Sequence, residues 1–232
     1  TAHLLAGLVR AGASMVVSGR PGAGKTTLLS CCLAELDPRS RVVVAEEVFE
    51  ADVPVANVAG MQTRGPRPDR PEIGLRRLVA AFLRMAPDVA VVGEVRDREA
   101  LPLLLTLTSG VTGHTTVHAG SAAQALGRLR FVCQLAEEAA SLGPSTLTAL
   151  VADAVDVVVH CARTAAGPRV VEVLAVEDLA TGDSGRFTTT PLVTRSTPEG
   201  PLLRNESVPH RLRTRLAAAG ADVDAVLGGP PC

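Results

Sequence analysis

Eight consecutive residues, Gly19-Arg20-Pro21-Gly22-Ala23-Gly24-Lys25-Thr26, carry the strongest chemical signal in the chain. They follow G-x-x-x-x-G-K-[ST], the pattern of a phosphate-binding loop. Its glycines let the backbone curl until successive N–H groups point inward. The positive end of a following helix adds to that anion nest. Lys25 then supplies a point charge for the β- and γ-phosphates, and Thr26 offers a hydroxyl to Mg²⁺. The candidate nucleotide-binding set is Gly19, Gly22, Ala23, Gly24, Lys25, Thr26 and Thr27. ATP is the expected ligand, with Mg²⁺ as its counter-ion.

Carboxylates and imidazoles follow at the ends of apolar runs. Asp88-Val89-Ala90-Val91-Val92-Gly93-Glu94 delivers one acid at the end of a strand. Ligands of open α/β sheets bind at that end. Gly93 stands where a Walker B aspartate is usual, so Glu94 is expected to act alone. It would orient or deprotonate the attacking water, or hold the metal's water shell. The plainer alternative is an acid that caps a helix. Glu46, Glu47 and Glu50 follow a second apolar run. Mg²⁺ prefers oxygen ligands and keeps several waters, so Glu46 and Glu94 would reach it through water. A solvated acidic loop is the other reading of Glu46, Glu47 and Glu50. Strand alternation puts His114, Thr116 and His118 on one face. An imidazole there can sense the γ-phosphate, although a hydrogen-bonded core histidine is the plainer expectation. His3, His160 and His210 have no companions in the sequence. Arg64, Arg67 and Arg70 lie in a proline-interrupted loop at 62–71, with Arg76 and Arg77 close behind. That loop is either solvated or turned toward phosphate or a neighbouring subunit.

These groups need a scaffold, and the pattern supplies one. Strand signals at 14–18, 41–45, 88–92 and 115–119 alternate with helix signals at 26–36, 72–84 and 97–109 and from Ser121. Leu75, Leu78, Val79, Phe82 and Leu83 make the stripe of one amphipathic helix over 72–84. Pro102 should kink the helix at 97–109 or shift its start. Ser121 with Gln124 reads as a capping box. The alternation implies an α/β fold, with a mostly parallel twisted sheet flanked by helices. A helix at 145–154 comes next. Apolar runs at 156–162 and 169–176 then read as a β-hairpin, with a further strand at 187–193 after a turn at 181–185. A short helix at 209–219 and a disordered Gly-Gly-Pro-Pro-Cys tail end the chain.

Composition excludes some functions. Of 232 residues, 47% are hydrophobic but only 2% aromatic, with no Trp or Tyr. The core must be built from Ala, Val and Leu, and aromatic platforms for nucleobases are missing. A net charge of -1 argues against a nucleic-acid binder. Mean hydropathy is +0.26, yet no apolar run approaches the roughly 18 to 20 residues that span a bilayer. The five cysteines form no C-x-x-C pair and are expected to be buried small hydrophobes of a reducing cytosol. No signal peptide is visible, and the chain starts in a helical stretch without Met, as expected of an excised fragment.

Taken in order, the segments resemble the type II/IV secretion and pilus-assembly ATPase superfamily of the GspE and PilT types. The order is P-loop, acidic box, arginine-rich loop, Gly93-Glu94-Val95-Arg96 and the histidine box around His118. Met61-Gln62-Thr63-Arg64, Leu83-Arg84-Met85-Ala86-Pro87-Asp88 and Gly113-His114-Thr115-Thr116-Val117-His118-Ala119 most resemble the Tad/CpaF branch. The resemblance implies a P-loop NTPase with a RecA-like core over 1–163. A C-terminal hairpin and short helices would extend the same domain over 164–227, ahead of a tail at 228–232. It implies Glu46, Glu94 and His118 as catalytic residues, and Glu47 and Arg96 as further nucleotide contacts. It also implies a homo-hexamer docked on inner-membrane platform proteins at the cytoplasmic face, with no direct nucleic acid. Glu47 departs from an Asp, and Gly120 from an Asn, in the family pattern. A RecA- or helicase-like nucleic-acid motor and a degenerate ATP-binding scaffold are the alternative functions.

Overall fold

Runs of β-branched residues buried on both faces make central strands, because a parallel sheet covered by helices leaves neither face to water. In the computed structural model, β1 (Met15–Gly19), β2 (Arg41–Glu46), β4 (Val89–Val95), β5 (Thr112–His118) and β6 (Val157–Thr164) are such strands. The structure describes residues 1–179, 185–205, 207 and 209–228. Most of the turn expected at 181–185 and all but the first residue of the tail lie outside them. β3 (Asn57–Gln62) pairs with β2 at the parallel edge. β7 (Gly167–Val176), β8 (Thr189–Arg195) and β9 (Leu202–Arg204) add antiparallel strands at the other side. The strand order is β3-β2-β4-β5-β1-β6-β7-β8-β9.

Alternation sorts the strand residues between two helical layers. Val42, Val44, Val89, Val91, Val157 and Val159 face Leu4 and Leu8 of α1 (Ala2–Arg10) and Leu29 and Leu33 of α2 (Lys25–Leu33). Leu212 and Leu216 of α7 (His210–Ala218) and Leu227 of α8 (Val223–Gly228) join that layer. Val43, Ala90, Val92 and Val158 face the opposite layer. It is built from α3 (Leu75–Val79), α4 (Ala100–Thr108), α5 (Ala122–Gln134) and α6 (Pro144–Ala154). Among the described residues, Phe82 is the one aromatic among the largest fully buried side chains, as the composition requires. Asp156 ties the layers at the sheet's N-terminal edge. Its carboxylate accepts the Ser14 N–H at 2.7 Å and pairs with Arg211 at 3.3 Å and Arg215 at 3.0 Å.

Several expectations need correction. The stripe over 72–84 is not one helix. α3 stops at Val79, a separate 3-10 turn spans Phe82–Met85, and Leu83 is left 52% exposed. The chain must reverse into β4, and it does so at Ala86 with φ 49. The loop expected over 62–71 is a loop, entered from the last residue of β3 and pinched by two isolated bridges. β3 runs to Gln62, and antiparallel bridges join Arg64 to Ile73 and Arg67 to Arg70. β3, β9 and α8 were not expected at all. The Pro102 expectation is met in its second form: α4 starts at Ala100 rather than at 97, which puts the proline in its first turn, where its missing N–H costs nothing. Ser121 Oγ accepts the Gln124 N–H at 3.1 Å, as a cap should. Gln124 Oε1, however, accepts from Gly120 N at 3.1 Å. Cys31 is exposed, against expectation, whereas Cys32, Cys133 and Cys161 are buried. Among the described residues no helix is long and apolar enough to cross a membrane.

Candidate functional site

The first anion site is built by backbone. β1 ends at Gly19, and Gly22 and Gly24 take left-handed φ of 71 and 83 before α2 begins at Lys25. Only glycine adopts that conformation without strain. Gly24 is the N-cap and brings no side chain, so the first-turn N–H groups of α2 point at the cavity above them. That cavity holds about 460 Å³ between the P-loop and the ends of β2, β4 and β5. The β4–β5 register shifts between Val92 and Val95, a bulge that re-aims Gly93 and Glu94. Thr116 Oγ1 anchors the bulge by donating to Gly93 O at 2.9 Å.

Five charged or polar side chains form a chain across the cavity. Lys25 Nζ lies 3.0 Å from His118 Nδ1 and 3.4 Å from Arg20 O. An ammonium can only donate, so Nδ1 accepts and the imidazole proton is assigned to Nε2. Nε2 lies 3.0 Å from Glu94 Oε1, within ion-pair distance but without hydrogen-bond alignment. Arg96 donates to Glu94 Oε2 at 2.6 Å and to Glu47 Oε2 at 3.0 Å. Burial lowers the His118 pKa and Glu94 opposes it, with Lys25 adding to the lowering. The lowering by burial and by Lys25 agrees with a neutral ring that accepts from Lys25. Lys25 is itself lowered by burial and held up by Glu94.

Glu46 lies against the position where a Walker B aspartate is usual. Its side chain is 3% exposed, and burial raises its carboxyl pKa against the pull of two backbone N–H groups. Oε1 accepts from Glu50 N at 3.3 Å and Ala51 N at 3.1 Å, while Oε2 has no partner. A Cβ at position 93 would stand 2.8 Å from Glu46 Oε1. The acid therefore comes from β2 and fills the space that a residue-93 side chain would need. Glu47 and Glu50 are exposed, and Thr26 Oγ1 donates to Glu50 Oε2 at 3.4 Å.

The donor set fits Mg-ATP. The nest and Lys25 suit phosphate oxygens. The Thr26 hydroxyl and the carboxylates of Glu46 and Glu94 are the hard oxygens that Mg²⁺ takes, and an orphaned buried Oε2 is the atom a cation's water shell would satisfy. Thr27 continues the first turn of α2, with Ala23 packed beneath the loop. His114 lies on the His118 face but deep in the sheet. It is 1% exposed, and neither ring nitrogen has a partner, so the expected hydrogen-bonded core histidine is not what the fold provides. His160 does have a companion, Ser18 Oγ at 2.9 Å from Nδ1. Sequence reasoning missed Glu99, whose carboxylate accepts from Arg96 N at 2.5 Å and Asp97 N at 2.8 Å and so shapes the turn carrying Arg96. An acid at the start of a predicted helix was the available signal. Contacts across the fold that no spacing reveals place the β6–β7 hairpin on the P-loop. Arg163 donates to Gly22 O at 3.2 Å, and Pro168 packs on Gly24.

A family profile described as type II/IV secretion system protein matches residues 1–206. The type IV secretion system protein PtlH of Bordetella pertussis is 37% identical over 171 residues, covering 71% of this chain and 50% of its own. Conjugal transfer protein TrbB of Rhizobium radiobacter is 34% identical over 168 residues, covering 71% and 48%. Among solved structures, the VirB11 ATPase of the Brucella suis type IV secretion system, in complex with sulphate, superposes with a TM-score of 0.66 at 27% identity. That match covers 73% of this chain and 50% of the VirB11 chain. The chain thus spans about half the length of the curated relatives it matches.

Proposed function

The chain belongs to the type II/IV secretion system protein family, and on that premise we propose that it is the ATP-hydrolysing core of a secretion or pilus-assembly motor. The observation that carries this reading is the line Lys25–His118–Glu94–Arg96 across the P-loop cavity, with Glu46 buried beside it. One end of that line binds phosphate and the other carries the carboxylate that handles water.

The nest and Lys25 bind and orient the β- and γ-phosphates, and Thr26 and Glu46 hold the metal's side of the site. Mg²⁺ when bound neutralises phosphate charge and keeps its waters. Glu94 orients the attacking water and takes its proton. Arg96 keeps that carboxylate aimed, and its own charge is shared with Glu47. When Lys25 turns to the phosphates, Nδ1 of His118 loses its donor and the ring turns its Nε2–H from Glu94 to a γ-phosphate oxygen, which makes the ring a reporter of whether that phosphate is present. Cys32, Cys133 and Cys161 are buried, with thiols pushed up to about 12, 12 and 11, and take no part.

Assembly as a homo-hexamer, docking on inner-membrane platform proteins from the cytoplasmic side, and placement in the Tad/CpaF branch belong to the same proposal. The first two rest on family membership. The branch rests on Met61–Arg64, Leu83–Asp88 and Gly113–Ala119. ATP binding and turnover by the purified chain test the core claim. Lys25→Ala removes the charge that meets the β- and γ-phosphates, a contact of about 1.5 to 3 kcal/mol, and is expected to weaken binding by about tenfold to a hundredfold. Binding within a few-fold of the parent would show that the P-loop is not the phosphate site.

A further inference from the structure

The sheet changes character where its helical cover ends. On one face of β1, β6 and β7 the register partners Val16, Val158 and Leu174 are core residues of the layer that holds α5. Two positions further toward the P-loop, the same face carries Ser18, His160 and Glu172, with Thr194 of β8 next in the row. α5 begins at Ala122, whose N–H donates to Glu172 Oε2 at 3.3 Å. Beyond that point lies a cavity of about 630 Å³. Arg20 and Pro21 of the P-loop also line it, and Pro21 lines the Lys25 cavity as well, so this bend of the loop separates the two.

The side chains around this cavity are mostly donors. Arg20, Arg163 and Arg195 stand against one acid, Glu172. Backbone carbonyls hold two of them in place: Arg163 donates to Gly22 O at 3.2 Å, and Arg195 donates to Val170 O at 3.0 Å and to Gly200 O. Arg20 is exposed, and its guanidinium has no partner among the described residues. His160 adds a neutral donor. Its ring is 7% exposed, and Ser18 beside it is fully buried. The Ser18 hydroxyl has one partner among the described residues, His160 Nδ1 at 2.9 Å. A buried hydroxyl gives its proton to the acceptor it has, so Nδ1 accepts and Nε2 carries the ring proton. Burial lowers the ring's pKa, which agrees with that neutral form. Nε2 has no partner among the described residues, and the ring lines the cavity.

We propose that this cavity is a second phosphate site, with His160 Nε2 and Arg20 as its donors. The phosphate group comes either as the free ion, the product of the P-loop cavity on the other side of Pro21, or carried on a small phosphomonoester. Only the first source rests on the nucleotide reading above. Guanidinium forks match phosphate oxygens, and the volume lies within the roughly 300 to 1,000 Å³ of small-molecule sites, which leaves room for an ester group. The two sites are neighbours through one residue. Lys25 Nζ lies 3.4 Å from Arg20 O, so the γ-phosphate that Lys25 meets sits against the bend whose side chain serves the second cavity.

The test fills the P-loop first. With Mg²⁺ and the non-hydrolysable analogue AMP-PNP at saturation, inorganic phosphate is titrated into the purified chain by calorimetry. One equivalent is expected to bind. Arg20→Gln, a change to an exposed side chain without a partner, should weaken that binding about tenfold or more, the loss of one charge-assisted contact. His160→Leu combined with Ser18→Ala removes the ring donor without leaving a buried hydroxyl unpaired, and should do the same. Thermal melting confirms that both variants fold. Glycerol 2-phosphate, titrated in the same way, separates the sources: an ester that binds as well as the ion makes the ligand a phosphomonoester, and an ester that is excluded makes it the released product. No phosphate binding while AMP-PNP is in place overturns the second site, as does binding that both variants leave unchanged. A hexaglutamate peptide that binds where phosphate does not also overturns it, in favour of an acidic protein segment. AMP-PNP that fails to bind overturns the nucleotide reading instead, and phosphate titrated into parent and variants without it still decides the second site.

Discussion

Acid should unfold this protein through His114. The ring is fully enclosed in the sheet, 1% exposed, opposite Met15 on β1 and Val91 on β4. Neither nitrogen has a partner, and burial pushes the pKa down to about 4 from 6.5. In the unfolded chain the ring titrates near its ordinary value. As pH falls through that value, the unfolded state takes the proton first, and stability drops until the folded pKa is passed. The gap of about 2.5 units is worth about 3 kcal/mol. At about pH 4.5 most of it, about 2.5 kcal/mol, is already lost. For a chain of this size that lowers the melting temperature by about 5 to 10 °C relative to pH 7. His114→Leu cannot titrate and leaves no buried nitrogen unpaired. The variant should melt at or above the parent temperature at pH 7 and should lose the His114 share of the acid slope. Carboxylates and the other histidines contribute equally to both proteins, so the difference between the two pH profiles isolates this ring. Parallel profiles would refute the reasoning.

Three further tests probe the site directly. His118→Ala should cut turnover by about 10² or more and leave ATP affinity within a few-fold, because the ring acts on the γ-phosphate's state. With the side chain 42% exposed, its melting temperature should barely move, and a large drop would make His118 a structural residue instead. Gly93→Ala should displace Glu46 and cost turnover, since its Cβ would stand 2.8 Å from Glu46 Oε1. The swap Glu46→Ala with Gly93→Asp returns an acid to the same space and should recover part of the activity that Glu46→Ala alone loses. A swap no better than Glu46→Ala in steady-state turnover would show that Glu46 does more than supply an acid there.

The sequence made the central sheet legible because β1, β2, β4, β5 and β6 are runs of β-branched residues buried on both faces. The P-loop was legible because its glycines and Lys25 act locally. What stayed hidden depends on partners far along the chain. β3 is an edge strand whose residues are mostly exposed, so Asn57–Gln62 carries no apolar run to announce it. Its existence follows from pairing with β2. The stripe at 72–84 was periodic, but a reversal at Ala86 divided it. Gly93 reads as a lost acid in the sequence, and Glu46, 47 positions earlier, lies against it only through the fold. The hairpin's seat on the P-loop was invisible for the same reason, since it rests on Pro168 meeting Gly24 across the fold.

Glu94→Gln decides the central claim most directly. The amide keeps the shape and the contact with Arg96 and removes only the charge that handles water. Single-turnover ATP hydrolysis, measured beside ATP binding on the same preparation, should show unchanged binding and hydrolysis slowed by about 10² or more. Hydrolysis at the parental rate with intact binding would contradict the account and move the water-handling role away from Glu94.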